Sequence, residues 1–532
     1  MKMMKKTGIV ISALLFVNSA VFSQGQLDAY KYSQTDLGGT ARYLGMGGAF
    51  GALGGDISVM SANPAGLAVY RSSEIVTTIS NRYVNAQTDW QGSAASGSRN
   101  KLNFDNIAYV SYFPTSSDAG IIGWNAGFSY NRIKDYHRNY TLSGMGDAEY
   151  SITDYMAERA NAKGVPAEDL AVSKGHNPYA GNNDWLSVLG YDAVLIDAFS
   201  ENRTKYFSTF GAETGGVWNP FKLAGRKLNV TERGAVDQYN IAFGLNISNY
   251  VMLGADIAIT DISYHYESYF AEEFVNNNNL SLENWLTTKG EGYALNAGVI
   301  VRPVDFLRLG VAYNSPTWYK MSDFFRATAN SNTSYWKEPI VGASTPENES
   351  YDYEYHSPDR WLFSAALIIG RSALLSVDYE RTSYEGMKMY YRDGAEDQIT
   401  NSDIRNNFGP AGTLRVGGEL KVTPRFAVRA GAAWADSPAK DVLKEASKEI
   451  YTVGTIPHYT IEKGITNYTV GLGYRFTTSF YMDIACVLKS EKEDLYAFSN
   501  IYNTEGVKII NSPSASLKTN TTQAALTLGF KF

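Results

Sequence analysis

The chain is 532 residues long, with 48 Gly, 38 Tyr, 24 Phe and 9 Trp, a mean hydropathy of −0.25 and a formal charge of −7. Setting aside Lys2, Lys5 and Lys6 of the leader leaves 44 basic against 54 acidic residues, a charge of −10, which disfavours nucleic acid as a partner. The single cysteine, Cys486, excludes an internal disulfide, and no uninterrupted apolar run of about 18 residues is present to form a membrane-spanning helix.

Met1 to Ser23 carries three lysines, an apolar run from Ile9 to Val17, and Val21 and Ser23 at small-residue positions before Gln24. This pattern predicts a cleaved secretory signal peptide. No cysteine follows the cleavage site, so lipidation there is not expected.

Residues 24–70 read unlike the rest. The run Gly38-Gly-Thr-Ala-Arg-Tyr-Leu-Gly-Met-Gly-Gly-Ala-Phe50 leads through Asp56-Ile-Ser58 to Asn63-Pro-Ala-Gly-Leu67. Small residues let a plug pack its backbone closely against surrounding side chains. Asn63 is held out of the α region by Pro64, which can open a short helix. A phosphate loop is the rival reading of Gly45 to Gly51. It fails because Phe50 stands where the last glycine of a dinucleotide fingerprint would be, and no Lys-Ser/Thr follows.

From residue 70 onward the chain divides into fourteen predicted strands, near 72–82, 103–114, 121–140, 234–248, 250–274, 291–303, 306–327, 355–370, 372–390, 409–423, 426–437, 458–477, 479–498 and 521–532. Side chains alternate across a strand. Tyr239, Ile241, Phe243, Leu245 and Ile247 oppose Asn240, Ala242, Gly244, Asn246 and Ser248. In the last strand Ala524, Leu526, Leu528, Phe530 and Phe532 oppose Thr521, Gln523, Thr527, Gly529 and Lys531. Lipid outside and water inside require that division. Cys486 shares register with Ile484 and Leu488 and reads as a small lipid-facing hydrophobe.

Tight turns such as Ser248-Asn249-Tyr250 and Thr423-Pro424-Arg425 alternate with long polar stretches near 83–102, 141–233, 275–290, 328–354, 391–408, 438–457 and 499–520. Short turns at one end and long loops at the other predict an all-β fold, a 14-stranded antiparallel transmembrane β-barrel over residues 71–532. The longest loop, 141–233, must carry structure of its own. Helices are predicted over Ser151–Gly164 and Pro166–Gly175, and Asn183 to Phe199 is apolar, with Trp185, Leu186, Leu189 and Leu195. Those side chains either pack the loop or line an external groove.

Enzyme chemistry finds no support. His137, His176, His265, His356 and His458 lack metal-ligand spacing, and no Gly-x-Ser-x-Gly elbow occurs. No catalytic residue, metal or cofactor is expected.

The small-residue run Gly45, Gly47, Gly48, Ala49 and Phe50, followed by Asp56, Ser58 and Asn63-Pro64-Ala65-Gly66-Leu67, resembles the hatch of the FadL/TodX family of outer-membrane transporters for long-chain fatty acids and aromatic hydrocarbons. The chain departs from that pattern at Val59 to Ala62, where a bulkier aromatic is usual, and its loops are long. The resemblance implies a small N-terminal hatch at 24–70 plugging the lumen, a Gram-negative outer-membrane location and passive, hatch-gated passage of hydrophobic cargo. Gly45, Gly47, Gly48, Phe50, Asn63, Pro64 and Ala65 would then gate, and Trp185, Leu186, Leu189, Leu195 and Phe199 would form the outer groove. It also implies a lateral opening beside a kinked third strand. There Gly123 and Gly127 either permit the kink or are ordinary barrel glycines. The inward arginines Arg302, Arg308, Arg415 and Arg475 either hold a cargo carboxylate or belong to a satisfied lumen network. Haem is a further cargo attached to some relatives, and His176 and His265 are either its ligands or, the reading the residues favour, solvated loop histidines. A barrel of this kind is a monomer or a member of an outer-membrane complex. The alternative function is a non-transporting subunit of a secretion or assembly complex, with the Tyr- and Asn-rich loops as docking surfaces.

Overall fold

A computed structural model describes residues 25–532 except 118, 145–148, 336–339, 347–348 and 371. The leader lies outside the described residues. Fourteen antiparallel strands form the wall: β1 Glu74–Trp90, β2 Ser93–Pro114, β3 Ile121–Asp135 with its continuation Arg138–Gly144, β4 Leu223–Ile247, β5 Val251–Phe274 and β6 Asn279–Val304. Then follow β7 Leu307–Asn314 with Trp318–Asn332, β8 Glu349–His356 with Arg360–Ile369, β9 Ala373–Ser383 with Lys388–Tyr391, and β10 Pro410–Lys421. The last four are β11 Phe426–Ala435, β12 Tyr459–Arg475, β13 Phe480–Tyr496 and β14 Ala515–Lys531. Pairing of β14 with β1, from Glu74↔Lys531 to Asp89↔Ser516, closes the sheet. Closure gives every wall strand a hydrogen-bonded neighbour on each side through the bilayer, which a sheet in lipid requires.

Alternation decides what faces where. In β14, Gln523, Ala525, Thr527 and Gly529 are buried in the lumen, while Leu528, Phe530 and Phe532 face outward. Near the short turns, stacked outward rings such as Phe113–Trp124, with centroids 4.0 Å apart, and Phe476–Phe480, at 5.5 Å, supply interfacial aromatics. Cys486 also lies on the outward side, between inward Ala485 and Val487.

Two stretches that read as long connections are strand instead. Residues 83–102 are the upper halves of β1 and β2, joined at Gln91 and Gly92, both with positive φ (52° and 85°). Residues 275–290 hold only the turn Val275–Asn277 before β6 begins at Asn279. Above the bilayer the outer face meets water, so ladder hydrogen bonds hold these hairpins without apolar alternation to betray them.

The remaining long segments fold into a cap over the extracellular mouth. The helix Ile152–Lys163 is capped by Ser151 and ends at Gly164 with φ 60°. Only Ala167–Leu170 of the predicted second helix forms, and residues 183–199 give the helix Trp185–Asp192 and the strand Ile196–Ala198. Cap side chains, the hatch residues Ala29 and Tyr32, and the upper inward residues of the wall share one apolar core. An ion pair, Arg226–Glu272 at 2.6 Å with both side chains fully buried, pins the cap to β4 and β5. Glu272 also accepts from Ile152 N–H at 3.1 Å, Arg226 donates to Tyr150 O at 2.8 Å, and the Phe498 ring lies 4.9 Å from the guanidinium.

Glu272→Gln would leave that guanidinium buried without its counter-charge, a loss of about 3–5 kcal/mol. We expect protease cleavage within residues 141–222 in the folded variant but not in the wild type, with heat-dependent gel mobility retained by both.

Candidate functional site

Residues 25–70 occupy the lumen. The helix Gln26–Ser33 sits highest, beneath the cap: Tyr355 donates to Ala29 O at 2.7 Å, and Asn407 of a cap helix donates to Gln26 at 2.7 Å. A strap, residues 34–39, descends to the helix Ala41–Gly45 and then to the 3-10 turns Ile57–Ser61 and Pro64–Val69. Thr40 caps the short helix and donates to Asp56 at 2.9 Å. Asn63 receives Ala65 N–H at 3.1 Å and donates to Gly51 O at 2.6 Å, tying both ends of the 51–63 loop.

Glycines on both partners let these segments meet. Gly47 and Gly48 have φ of 63° and 77°, and a side chain on Gly47 would meet Ala432 N at 2.9 Å. On the wall, a Cβ on Gly244 would stand 2.6 Å from Ala68 N, and one on Gly310 2.6 Å from Gly51 O. Gly45 faces Gly471 in the same way, with a hypothetical Cβ 3.0 Å from its Cα. Phe50 is fully buried and stacks on Tyr43 at 5.4 Å. Pro64 and Ala65 are buried against β5 and β6.

The other sequence-derived candidates are dispersed. Trp185, Leu186, Leu189 and Leu195 are buried in the cap core and line no open groove, and only Phe199 is exposed, beside Phe207 at 4.7 Å. Arg415 pairs with Glu380 at 3.3 Å, and Arg302 pairs with Asp305 near the periplasmic end. Arg308 donates to Leu53 O, while Arg475 is exposed at the lower rim. A further chain, Arg42–Glu419–Arg429–Asp483, links hatch to wall at 2.9, 2.7 and 2.6 Å. His176 is exposed in the cap and His265 faces outward on β5, and the structure does not bring the two together.

Gly123 lies at a register shift of β3, whereas the lumen space beside Gly127 is filled by Met60 and Leu67. The larger departure is higher. The β2–β3 ladder runs from Pro114↔Gly123 only to Asn106↔Asn131, and β3 shifts register again between Arg132 and Lys134. The continuation Arg138–Gly144 pairs with β4 alone and passes behind the β1–β2 hairpin, where Thr88 donates to Thr141 O. Across the seam left behind, side chains replace the ladder: Asn103 donates to Asp135 at 2.6 Å, and Lys101 reaches Asp135 at 3.5 Å and His137 at 2.9 Å.

Inside that seam lies a cavity of about 160 Å³, lined by Leu27, Leu37, Val84, Tyr136, Tyr140 and Ile456 among others. The strap divides it from a second cavity of about 150 Å³ against β8 to β11. Asp36 on the strap contacts Lys489 at 3.0 Å, Arg82 at 3.1 Å and Lys134 at 3.6 Å, and accepts Asp135 N–H at 3.2 Å. Burial pushes its carboxyl up, but Lys134, Lys489 and Arg82 outweigh burial and hold it well below the usual carboxylate range. His458, also on the cavity wall, is pushed down to about 3 by burial, assisted by Lys31, and stays neutral. The sequence offered one sign of this cluster, namely charged residues at inward strand positions and an aspartate just before the glycine pair 38–39.

A closed fourteen-stranded barrel with a lumen-filling hatch defines the class of outer-membrane transport barrels. The family model for outer membrane protein transport protein (OMPP1/FadL/TodX) matches residues 235–532, more than half of the chain, and the chain belongs to that family. Membership with this fold places it in the outer membrane of a Gram-negative cell. No curated protein sequence matches the chain. Among solved structures, a Pseudomonas aeruginosa FadL homologue is similar at 12% identity and a TM-score of 0.51, over 94% of this chain and 99% of that one. The P. putida toluene transporter TodX is similar at 12% identity and a TM-score of 0.50, over 93% and 99%.

Gly244→Val would drive a side chain into Ala68 N. The expected outcome is an intact, heat-modifiable barrel whose hatch becomes accessible to proteases, where the wild-type hatch resists them.

Proposed function

We propose that the chain carries hydrophobic compounds passively across the outer membrane, through the cavity beneath the cap and out at the β2–β3 seam, with residues 25–70 as the gate. The observation that carries this reading is the cavity's position. It lies against the upper β2–β3 wall, where side-chain contacts replace the strand ladder. Contacts between side chains can be exchanged for water or cargo at small net cost, whereas ladder bonds in lipid cannot. Trp185, Leu186, Leu189 and Leu195 hold the cap together from within, and Phe199 is the one member of that candidate set exposed to an arriving cargo. No energy source is needed for movement down a gradient.

Size bears on the cargo. A cavity of about 150 Å³ holds benzene, so a single-ring compound fits this one whole, while a long-chain fatty acid fits only by its head and first carbons. TodX, a toluene transporter by name, is consistent with that scale.

Cells producing the protein should accumulate labelled toluene faster than cells lacking it. Val84→Trp, which fills the cavity from β1, should lower that uptake several-fold at unchanged surface abundance. Equal uptake with and without the gene, together with a stoichiometric co-purifying partner, would instead favour the complex-subunit reading.

A further inference from the structure

We propose that the cargo includes small aromatic carboxylates, and that such a cargo opens the gate by taking the place of the Asp36 carboxylate on Arg82, Lys134 and Lys489. The inference rests on the transport reading and specifies its ligand chemistry. Three observations carry it.

First, the cavity is not a hydrocarbon pocket. Seven cationic side chains (Lys31, Arg82, Arg99, Lys101, Lys134, Arg138 and Lys489) and seven acidic ones share its lining with the aromatic and aliphatic residues. Counted by residue, the two sets are equal with Asp36 in place. A carboxylate arriving in addition would leave an excess buried anion, whereas a carboxylate exchanged for Asp36 leaves the count unchanged.

Second, unpartnered donors belong to residues that line the cavity. Arg82 Nε and Arg99 Nη1 are buried without a hydrogen-bond partner among the described residues. Arg82 Nη1 meanwhile holds Asp36. A carboxylate approaching the Nε edge of Arg82 gains a charge-assisted bond before Asp36 has left, so exchange proceeds without a stage in which the cations stand bare.

Third, Asp36 holds the wall as well as the strap. Its N–H donates to Ile133 O at 2.7 Å, beside the β3 register shift, and its carboxylate bridges β1, β3 and β13. Displacing it frees the strap that separates the two cavities and removes a tie across the seam.

Hydrogen exchange of the amides in residues 34–38, in purified full-length protein reconstituted in nanodiscs, reads the strap directly. Sodium 4-ethylbenzoate should speed their exchange by roughly tenfold or more in the wild type. Toluene, and sodium chloride at equal ionic strength, should not. Asp36→Asn should exchange fast with no ligand, and Asp36→Glu, which keeps the carboxylate, should behave as wild type. Heat-dependent gel mobility confirms that each variant is folded. Equal acceleration by toluene, no response to ethylbenzoate, or wild-type protection in Asp36→Asn overturns the inference. Uptake separates the two failures. Toluene accumulation without any strap response to the carboxylate sinks this inference alone, and failure to accumulate either compound sinks the transport reading with it.

Discussion

The lumen can be filled only where the wall gives up its side chains. A barrel of fourteen strands encloses more space than its own inward residues fill, and the hatch fills the difference with backbone as much as with side chains. Gly244 and Gly310 on the wall meet Ala68 and Gly51 on the hatch at separations that leave no room for a Cβ, and Gly45 meets Gly471 in the same way. This backbone-to-backbone fit positions Asn63, Phe50 and the strap. The hatch therefore has one seat in the barrel, and every charge it carries arrives at a defined place on the wall.

Ionic contacts then fix what packing leaves free. Arg42 reaches Glu419 low in the lumen, and Asp36 reaches its three cations higher up. The two anchors differ in kind. Arg42 joins a chain that continues through Arg429 to Asp483, so Glu419 keeps one cation if the other contact slips. Asp36 is the one ion-pair partner of Lys134 among the described residues, and its loss leaves that ammonium with the Gln34 amide at 3.1 Å. The lower anchor suits a fixed seat and the upper one a movable strap.

Much of this was legible in the sequence, for identifiable reasons. Strands betray themselves where lipid forces alternation, as in β4 with Tyr239 to Ile247 or β14 with Leu526 to Phe530. The same physics hid the upper halves of β1 and β2, which stand in water on their outer side and carry Asn, Ser and Thr instead. Gly45, Gly47 and Gly48 stood out by composition, yet the wall glycines that complement them, such as Gly471 and Gly431, are indistinguishable in sequence from any inward glycine. The ion cluster was illegible because its members are more than 450 residues apart, from Asp36 to Lys489, and only barrel closure brings them together. The cap residues Trp185 to Leu195 read equally well as groove or core, since apolar composition does not say which side of a loop faces water. The structure buries them.

The departure of β3 from the wall follows from these same constraints. Between Arg132 and Lys134 the strand shifts register, and from Arg138 it pairs with β4 alone. In lipid an orphaned edge of β2 would be costly, because its N–H and C=O groups would find no partner. Here the ladder is lost only above Asn106, where β2 has risen more than eight residues from its periplasmic end at Pro114, about the length needed to cross the bilayer with tilt. The gap thus opens at the outer edge of the hydrocarbon layer, where water and polar side chains satisfy the freed groups, and Asn103, Lys101 and His137 converge there on Asp135. A wall that must be continuous in lipid can afford a side-chain seam only at that height, and the cavity and the strap lie level with it.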